Sequence, residues 1–347
     1  MPLAGIIRNS NRMKIWNLTF RLLLTVSFPI YSDAQNIQED AIRIYLTGDS
    51  ADVQTTTKPG LLLAGGSTDV NSAMLWLLER SGGGDVVVIR SSGADGYNQY
   101  LFELAKVNSV ETILINNRDK AFLPIVAEKI RKAELLFIAG GDQWNYTRYW
   151  KDSPVEEAIN FLINEKKVPV GGTSAGCAIL GDYYFAAQYE TIQSETALES
   201  PYHIANAIGR KDFIVAPILR NTITDSHYSQ RNRQGRHISW LARLLQEEKT
   251  KTIRGIGVDE KTAVAIDEAG WATVFGSNEA WFVWNEASKP EVCEPGEALH
   301  WSPSKAPVRA YMIKGSIEGN GRFNLNNWKQ MEGGTTRQLK VEQGVLR

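Results

Sequence analysis

The sequence predicts an α/β protein, a three-layer sandwich whose mostly parallel sheet is covered by helices, with antiparallel strands added toward the C-terminus. Three observations lead there. From about residue 40 to 175, short apolar runs unrelieved by polar residues alternate with helix-like stretches, as strands do when helices cover both faces of a parallel sheet. Several of these runs end in paired glycines. Beyond residue 262 the texture changes to strand-like segments separated by turn signals, which reads as an antiparallel meander at a sheet edge.

In chain order, Leu61-Leu62-Leu63-Ala64 ends in Gly65-Gly66 and precedes an apolar helical pattern over Val70–Leu78. Val86–Ile89 is followed by a helical stretch near Tyr97–Lys106, and Thr112–Ile115 by one near Ala121–Lys132. Leu135–Ile138 ends in Gly140-Gly141. Ser153-Pro154-Val155-Glu156 has the signature of a helix start: a capping serine, proline in the first turn, and a glutamate placed to reach back. Val168-Pro169-Val170 leads into Gly171-Gly172. The meander comprises Thr262–Ile266, Trp271–Phe275 and Ala280–Trp284, and a strand near Val308–Lys314 joins it. The tail after Gly315, rich in Gly and Asn, reads as mobile.

With 347 residues, 43% hydrophobic, 22% charged and net charge -1, the composition is that of an ordinary globular protein. Near-neutral charge gives no electrostatic reason to expect nucleic acid or an anionic membrane as partner. Residues 1–34 read as a signal peptide. Met13-Lys14 leads an apolar stretch from Leu18 to Ile30, and Ser32-Asp33-Ala34 offers small residues for cleavage after Ala34. The protein is therefore expected to be secreted or periplasmic, with no membrane contact once the signal is removed. The core is expected over 40–285 and a β-rich extension over 286–347; a homodimer is compatible with both. The two cysteines, Cys177 and Cys293, make no disulfide framework and are expected to be unpaired.

Gly172-Thr173-Ser174-Ala175-Gly176 fits G-x-S-x-G in its expected context, a strand before and a helix after. The sharp turn needs small flanking residues and lifts the serine hydroxyl clear of the sheet. A serine nucleophile needs a base. Of the four histidines, His237 falls on an amphipathic helix with Trp240, Leu241 and Leu244, where a structural role is expected. His203 and His300 lie in polar, loop-like stretches. His227, in Asp225-Ser226-His227-Tyr228, closely precedes Arg231, Arg233 and Arg236, which suit a substrate carboxylate or could fix the loop through acidic partners. Asp225 is one candidate to orient the imidazole. No spaced Cys or His cluster suggests a metal, and Gly65-Gly66 lacks the spacing of a dinucleotide loop, so no cofactor is expected.

At these residues the chain resembles the cyanophycinase family of serine peptidases, related to the aspartyl dipeptidases. The match lies in the serine turn and in three further segments: Phe137-Ile138-Ala139-Gly140-Gly141-Asp142-Gln143, Asp225 through Arg236, and Gly255-Ile256-Gly257-Val258-Asp259-Glu260-Lys261-Thr262-Ala263. Together they span about residues 60–285. The resemblance implies a fold akin to class I glutamine amidotransferases and a serine-type peptidase acting on cyanophycin, an aspartate backbone decorated with arginine, or on related β-aspartyl peptides. It implies Ser174 as nucleophile, His227 as base and Glu260, rather than Asp225, as the group orienting His227. It also implies oxyanion donors near Gly141 and Ala175, with Gln143, Asp225, Arg231, Arg233 and Arg236 at the substrate. The stretch Tyr189–Lys211 matches the family weakly. Two other readings are an α/β-hydrolase esterase, whose triad runs serine, acid, histidine, and a non-catalytic peptide-binding protein on the same scaffold.

Overall fold

The computed structural model describes residues 42–286, 288–303 and 308–347; the expected signal peptide lies outside the described residues. Five parallel strands form the centre of the first sheet, in the order β4 (Ser109–Leu114), β3 (Asp85–Arg90), β5 (Leu135–Ile138), β6 (Pro169–Thr173) and β2 (Gly60–Ala64). An antiparallel strand β1 (Arg43–Gly48) closes one side. On the other side, β11 (Thr262–Asp267), β12 (Trp271–Gly276), β15 (Asn320–Asn324) and β16 (Met331–Glu332) continue it antiparallel.

Alternation along the central strands explains why these runs are apolar throughout. Leu62, Val86, Val88 and Phe137 face α1 (Asn71–Glu79) and α2 (Asn98–Leu104). Leu63, Val87, Ile89 and Ile138 face α4 (Pro124–Lys132), α5 (Gln143–Trp150) and α6 (Pro154–Phe161). A strand covered on both faces has no position where a polar side chain reaches water, and each fully buried aliphatic contributes about 1.5–3 kcal/mol.

Local chemistry sets several boundaries. The helix expected over Ala121–Lys132 is broken: α3 (Arg118–Ala121) ends first and α4 begins at Pro124. Proline cannot donate a backbone hydrogen bond and pushes the residue before it, Leu123 (ψ 124°), into extended conformation. At α6, the Ser153 hydroxyl caps Val155 N at 3.2 Å, and Glu156 reaches back to the amide of Asp152.

A second sheet runs β17 (Thr335–Leu339), β14 (Val308–Lys314), β13 (Glu279–Asn285), β10 (Arg254–Val258), β9 (Thr222–Asp225), β7 (Tyr183–Phe185) and β8 (Ile208–Arg210). Its face carrying Ile256, Phe282 and Trp284 shares a core with β12 and β15 of the first sheet. The opposite face, carrying Ile223 and Val283, is covered by α9 (Gln234–Glu247) through Ile238, Trp240 and Leu241.

Two sequence expectations change here. The meander is not one unit: β11 and β12 pair, but the chain then crosses, and β13 pairs with β10 and β14 in the second sheet. Alternating Trp281/Val283 and Phe282/Trp284 serve two different cores, so local pattern alone did not reveal the switch. Nor is the tail after Gly315 loose among the described residues. Phe323 stacks on Phe282 with ring centroids 4.1 Å apart, and Trp328 packs edge-on against Phe323. Aromatic anchors spaced among polar residues give such a segment a long-range reason to order.

Candidate active site

The polar groups singled out by sequence gather where strands of the two sheets end. Ser174 follows β6 and opens α7 (Ala175–Ala178), His227 follows β9, and Glu260 follows β10. Ser174 has φ 54° and ψ -113°, the strained turn that presents a nucleophile above a sheet. The glycines of the motif are steric requirements. A Cβ on Gly172 would lie 2.5 Å from the carbonyl carbon of Gly176, and one on Gly176 would lie 2.2 Å from the Ile138 carbonyl oxygen. Behind the turn, Ser174 N donates to the Ala64 carbonyl at 3.0 Å.

Ser174 Oγ stands 2.8 Å from His227 Nε2, and His227 Nδ1 stands 2.7 Å from Glu260 Oε1. With the Nδ1 proton directed at the carboxylate, the Nε2 lone pair faces the hydroxyl, as a general base requires. His227 N donates to the Gly65 carbonyl at 2.8 Å, hanging the base of the second sheet on a glycine of the first. Gly66, at φ 93°, passes directly beneath the ring: a Cβ there would be 2.6 Å from Nε2 and 3.1 Å from Ser174 Cβ. Glu260 is fixed in turn, its amide donating to Gln230 Oε1 at 2.8 Å and its carbonyl accepting from Asn278 Nδ2 at 2.9 Å. The adjacent Asp259 carboxylate accepts from Ser229 N at 2.8 Å, tying the histidine loop to the end of β10.

Burial pushes the His227 imidazole below its ordinary value; the hydrogen bond to Glu260 opposes this, and the charges of Arg231 and Arg233 add to it. The hydrogen bond from His227 holds the Glu260 carboxyl down. At neutral pH the pair is therefore a neutral imidazole beside a carboxylate. His237, by contrast, is fully buried, 3.0 Å from Tyr228 Oη through Nδ1, and pushed down to about 4 mainly by burial.

Asp225 is enclosed, 1% exposed, and its carboxylate faces arginine rather than the cleft. Arg236 grips it with two bonds, Nε to Oδ2 at 2.9 Å and Nη2 to Oδ1 at 2.7 Å. Arg233 donates to Asp225 Oδ1 at 3.2 Å and to the Ser226 carbonyl at 2.8 Å. Arg236 also lies against the stacked rings of Phe185 and Trp240, its guanidinium carbon 4.9 Å from each centroid. Burial alone would raise the Asp225 carboxyl, but the two guanidinium charges bring it below its usual range. The expectation that Asp225 contacts substrate is thus corrected: its oxygens are engaged by Arg236 and Arg233 in fixing the loop before His227, and the carboxylate on the imidazole is that of Glu260.

A cleft of about 580 Å³ opens beside the dyad, lined by Gly141, Gln143, Trp144, Glu190 and the guanidinium groups of Arg231, Arg233 and Arg236. The three arginines differ. Arg236 is satisfied by Asp225, Arg233 is half engaged, and Arg231 is exposed, its nearest carboxylate being Glu260 at 3.8 Å. Gln143 donates across the cleft to the Phe185 carbonyl at 2.9 Å. The glycine end of β5 abuts the nucleophile: a Cβ on Gly140 would lie 3.3 Å from Ser174 Cβ, which brings Gly141 to the rim. Ala175, the other expected oxyanion donor, is the first residue of α7, where amides lack helical partners. Among the described residues, no group of three or more His, Cys, Asp or Glu side chains could hold a metal ion.

Gly66, Gln230 and Asp259 were not singled out from sequence as parts of this site. Gly65-Gly66 carried the one usable signal, a glycine pair at the end of a strand, like those at 140–141 and 171–172.

Two measurements follow. Because the base must be neutral, kcat/KM should be flat around pH 7 and fall as pH drops through a midpoint below 6.5. Glu260→Gln should move that midpoint lower still, since the carboxylate raises His227, and should cut kcat on the order of 10⁴-fold. Asp225→Ala should cost about 3–5 kcal/mol in denaturant titration by leaving Arg236 buried and unpaired; a loss below about 1 kcal/mol would deny that clamp.

A family model for "Peptidase family S51" matches residues 97–274, just over half the chain. Cyanophycinase of Trichormus variabilis is 28% identical over 183 residues, covering 53% of this chain and 56% of that protein. Cyanophycinase of Thermosynechococcus vestitus is 27% identical over 228 residues, covering 62% of this chain and 66% of that protein. The chain thus spans a little over half to about two thirds of the length of these curated relatives. A solved peptidase from an acI-B1 actinobacterium aligns with TM-score 0.47 and 15% identity over 65% of this chain and 91% of that one. By the family match and the four segments at the site, this chain belongs to peptidase family S51.

Proposed function

We propose that this protein is a serine-type peptidase that hydrolyses cyanophycin or related β-aspartyl peptides through an acyl-enzyme. The observation that carries the reading is the continuous line of hydrogen bonds from Ser174 Oγ through His227 to Glu260, at 2.8 and 2.7 Å. Ser174 attacks the scissile carbonyl while His227 Nε2 takes its proton, and Glu260 stabilises the imidazolium. Amides at Gly141 and Ala175 receive the oxyanion, an interaction whose removal typically costs about 100–1,000-fold in turnover. His227 returns the proton to the departing amine. Water, activated by the same imidazole, then releases the acyl group and restores the serine.

Substrate class rests on the cleft and on the relatives. Of the three arginines at the cleft, Arg231 has the fewest partners, so it suits an aspartyl carboxylate by paired hydrogen bonds. The two relatives named above are cyanophycinases. An esterase of the α/β-hydrolase type orders its triad as serine, acid, histidine; here the histidine comes between serine and acid. Residues 1–34, read as a signal peptide, would have this chemistry take place outside the cytoplasm.

The purified protein should release β-aspartyl-arginine dipeptide from cyanophycin, and Ser174→Ala should abolish release. Equal release by both proteins would end this reading. Labelling of Ser174 by a fluorophosphonate without dipeptide release would keep the nucleophile and exclude the substrate.

A further inference from the structure

The space does not stop at the cleft lined by Gly141, Gln143 and the three arginines. A second cavity of about 490 Å³ shares Trp144 and Gln188 with it and continues along α5. Gln143 and Trp144 line the inner space, Trp144, Thr147 and Arg148 the outer one, and Lys151 lies at its far end. Those positions recur every three to four residues and so form one stripe of a single helix. Opposite α5, Phe185 and Ala187 line the inner space, while Tyr184 and Ala186, from the other face of the same segment, line the outer one with Ile208 and Gly209 of the paired strand β8.

From Gln143 to Lys151 the stripe extends roughly 12 Å, at about 1.5 Å per helical residue. An extended chain advances about 3.3–3.6 Å per residue, so the outer space accommodates roughly three backbone residues beyond those in the inner one. Its charges are of both signs. Arg148 is exposed and lies over the Tyr149 ring at 4.5 Å. Arg118 is pinned to the carbonyls of Lys151 at 2.8 Å and Asp152 at 3.1 Å, and adds positive potential. Asp212 accepts from Tyr184 Oη at 2.9 Å and pairs with Lys151.

We infer that the stripe of α5 from Trp144 to its C-cap Lys151, with the paired strands β7 and β8, forms an outer subsite for the continuing chain of a polymeric substrate bearing carboxylate and guanidinium groups in each repeat. Resting on the proposed function, this makes the protein selective for length: the polymer is held at a distance from the bond being cut. Arg148 is its specificity-determining residue and takes no part in the triad or the inner cleft.

The test compares synthetic β-aspartyl-arginine oligomers of two and eight repeats in the whole protein. Wild type should show kcat/KM about tenfold higher for the long oligomer. Arg148→Glu should keep the short-oligomer value within about twofold, which also reports correct folding, and lose at least about threefold of the gain for the long one. Arg148→Gln should fall between. The inference is overturned if wild type shows no gain with length, if Arg148→Glu retains the gain, or if that variant loses both substrates equally. Cleavage of the short oligomer without a length gain removes the subsite and leaves the proposed function standing. No cleavage of either oligomer by wild type removes both.

Discussion

The site depends on a close approach between two sheets. Ser174 belongs to the first and His227 to the second, and the imidazole that bonds Ser174 passes directly over the unsubstituted backbone of Gly66. Gly65 holds the histidine amide from the same segment. Serine, histidine and glutamate therefore fall into line only where β2, β6, β9 and β10 end together. The packed aromatic core between the sheets, with Phe282, Phe323 and Trp284, keeps that distance fixed.

Charge is arranged in two tiers around this contact. An inner tier pairs the buried Asp225 and Arg236, with Arg233 partly engaged on the same carboxylate, so it rigidifies the approach to His227 at little cost in unpaired charge. An outer tier, Arg231 with Gln143 and Glu190, faces the cleft. The charges of Arg231 and Arg233 add to burial in keeping the imidazole neutral. Structural and chemical roles thus share one short segment, residues 225–236.

Much of the architecture was legible because its cause is local. Continuous apolar runs announced β2, β3, β5 and β6, and the strand–turn–helix around Ser174 announced the elbow through its small residues. What escaped depended on distant partners. The turn at residues 277–278 looks like any hairpin, yet β13 leaves for the other sheet because its two faces meet two cores. The polar spacing of the tail hid Phe323 and Trp328, whose burial orders it. At the site, residue types pointed to Ser174 and His227 and the family resemblance to Glu260, and the structure brings these three within hydrogen-bond reach. The resemblance put Asp225 at the substrate, but a residue's place in a motif says nothing of where its side chain turns: the carboxylate points inward to Arg236. Gly66 showed only as one of several glycine pairs at strand ends, with nothing local to say what crosses above it.

The most direct measurement is therefore Gly66→Ala, read by the rate of Ser174 labelling with a fluorophosphonate and by kcat, beside thermal stability. The account predicts a folded protein in which a methyl group displaces the imidazole from Ser174, with labelling and kcat each falling at least about a hundredfold. Near-normal labelling in a stably folded Gly66→Ala protein would contradict it, because the imidazole would then not need the space that the two sheets leave at residue 66.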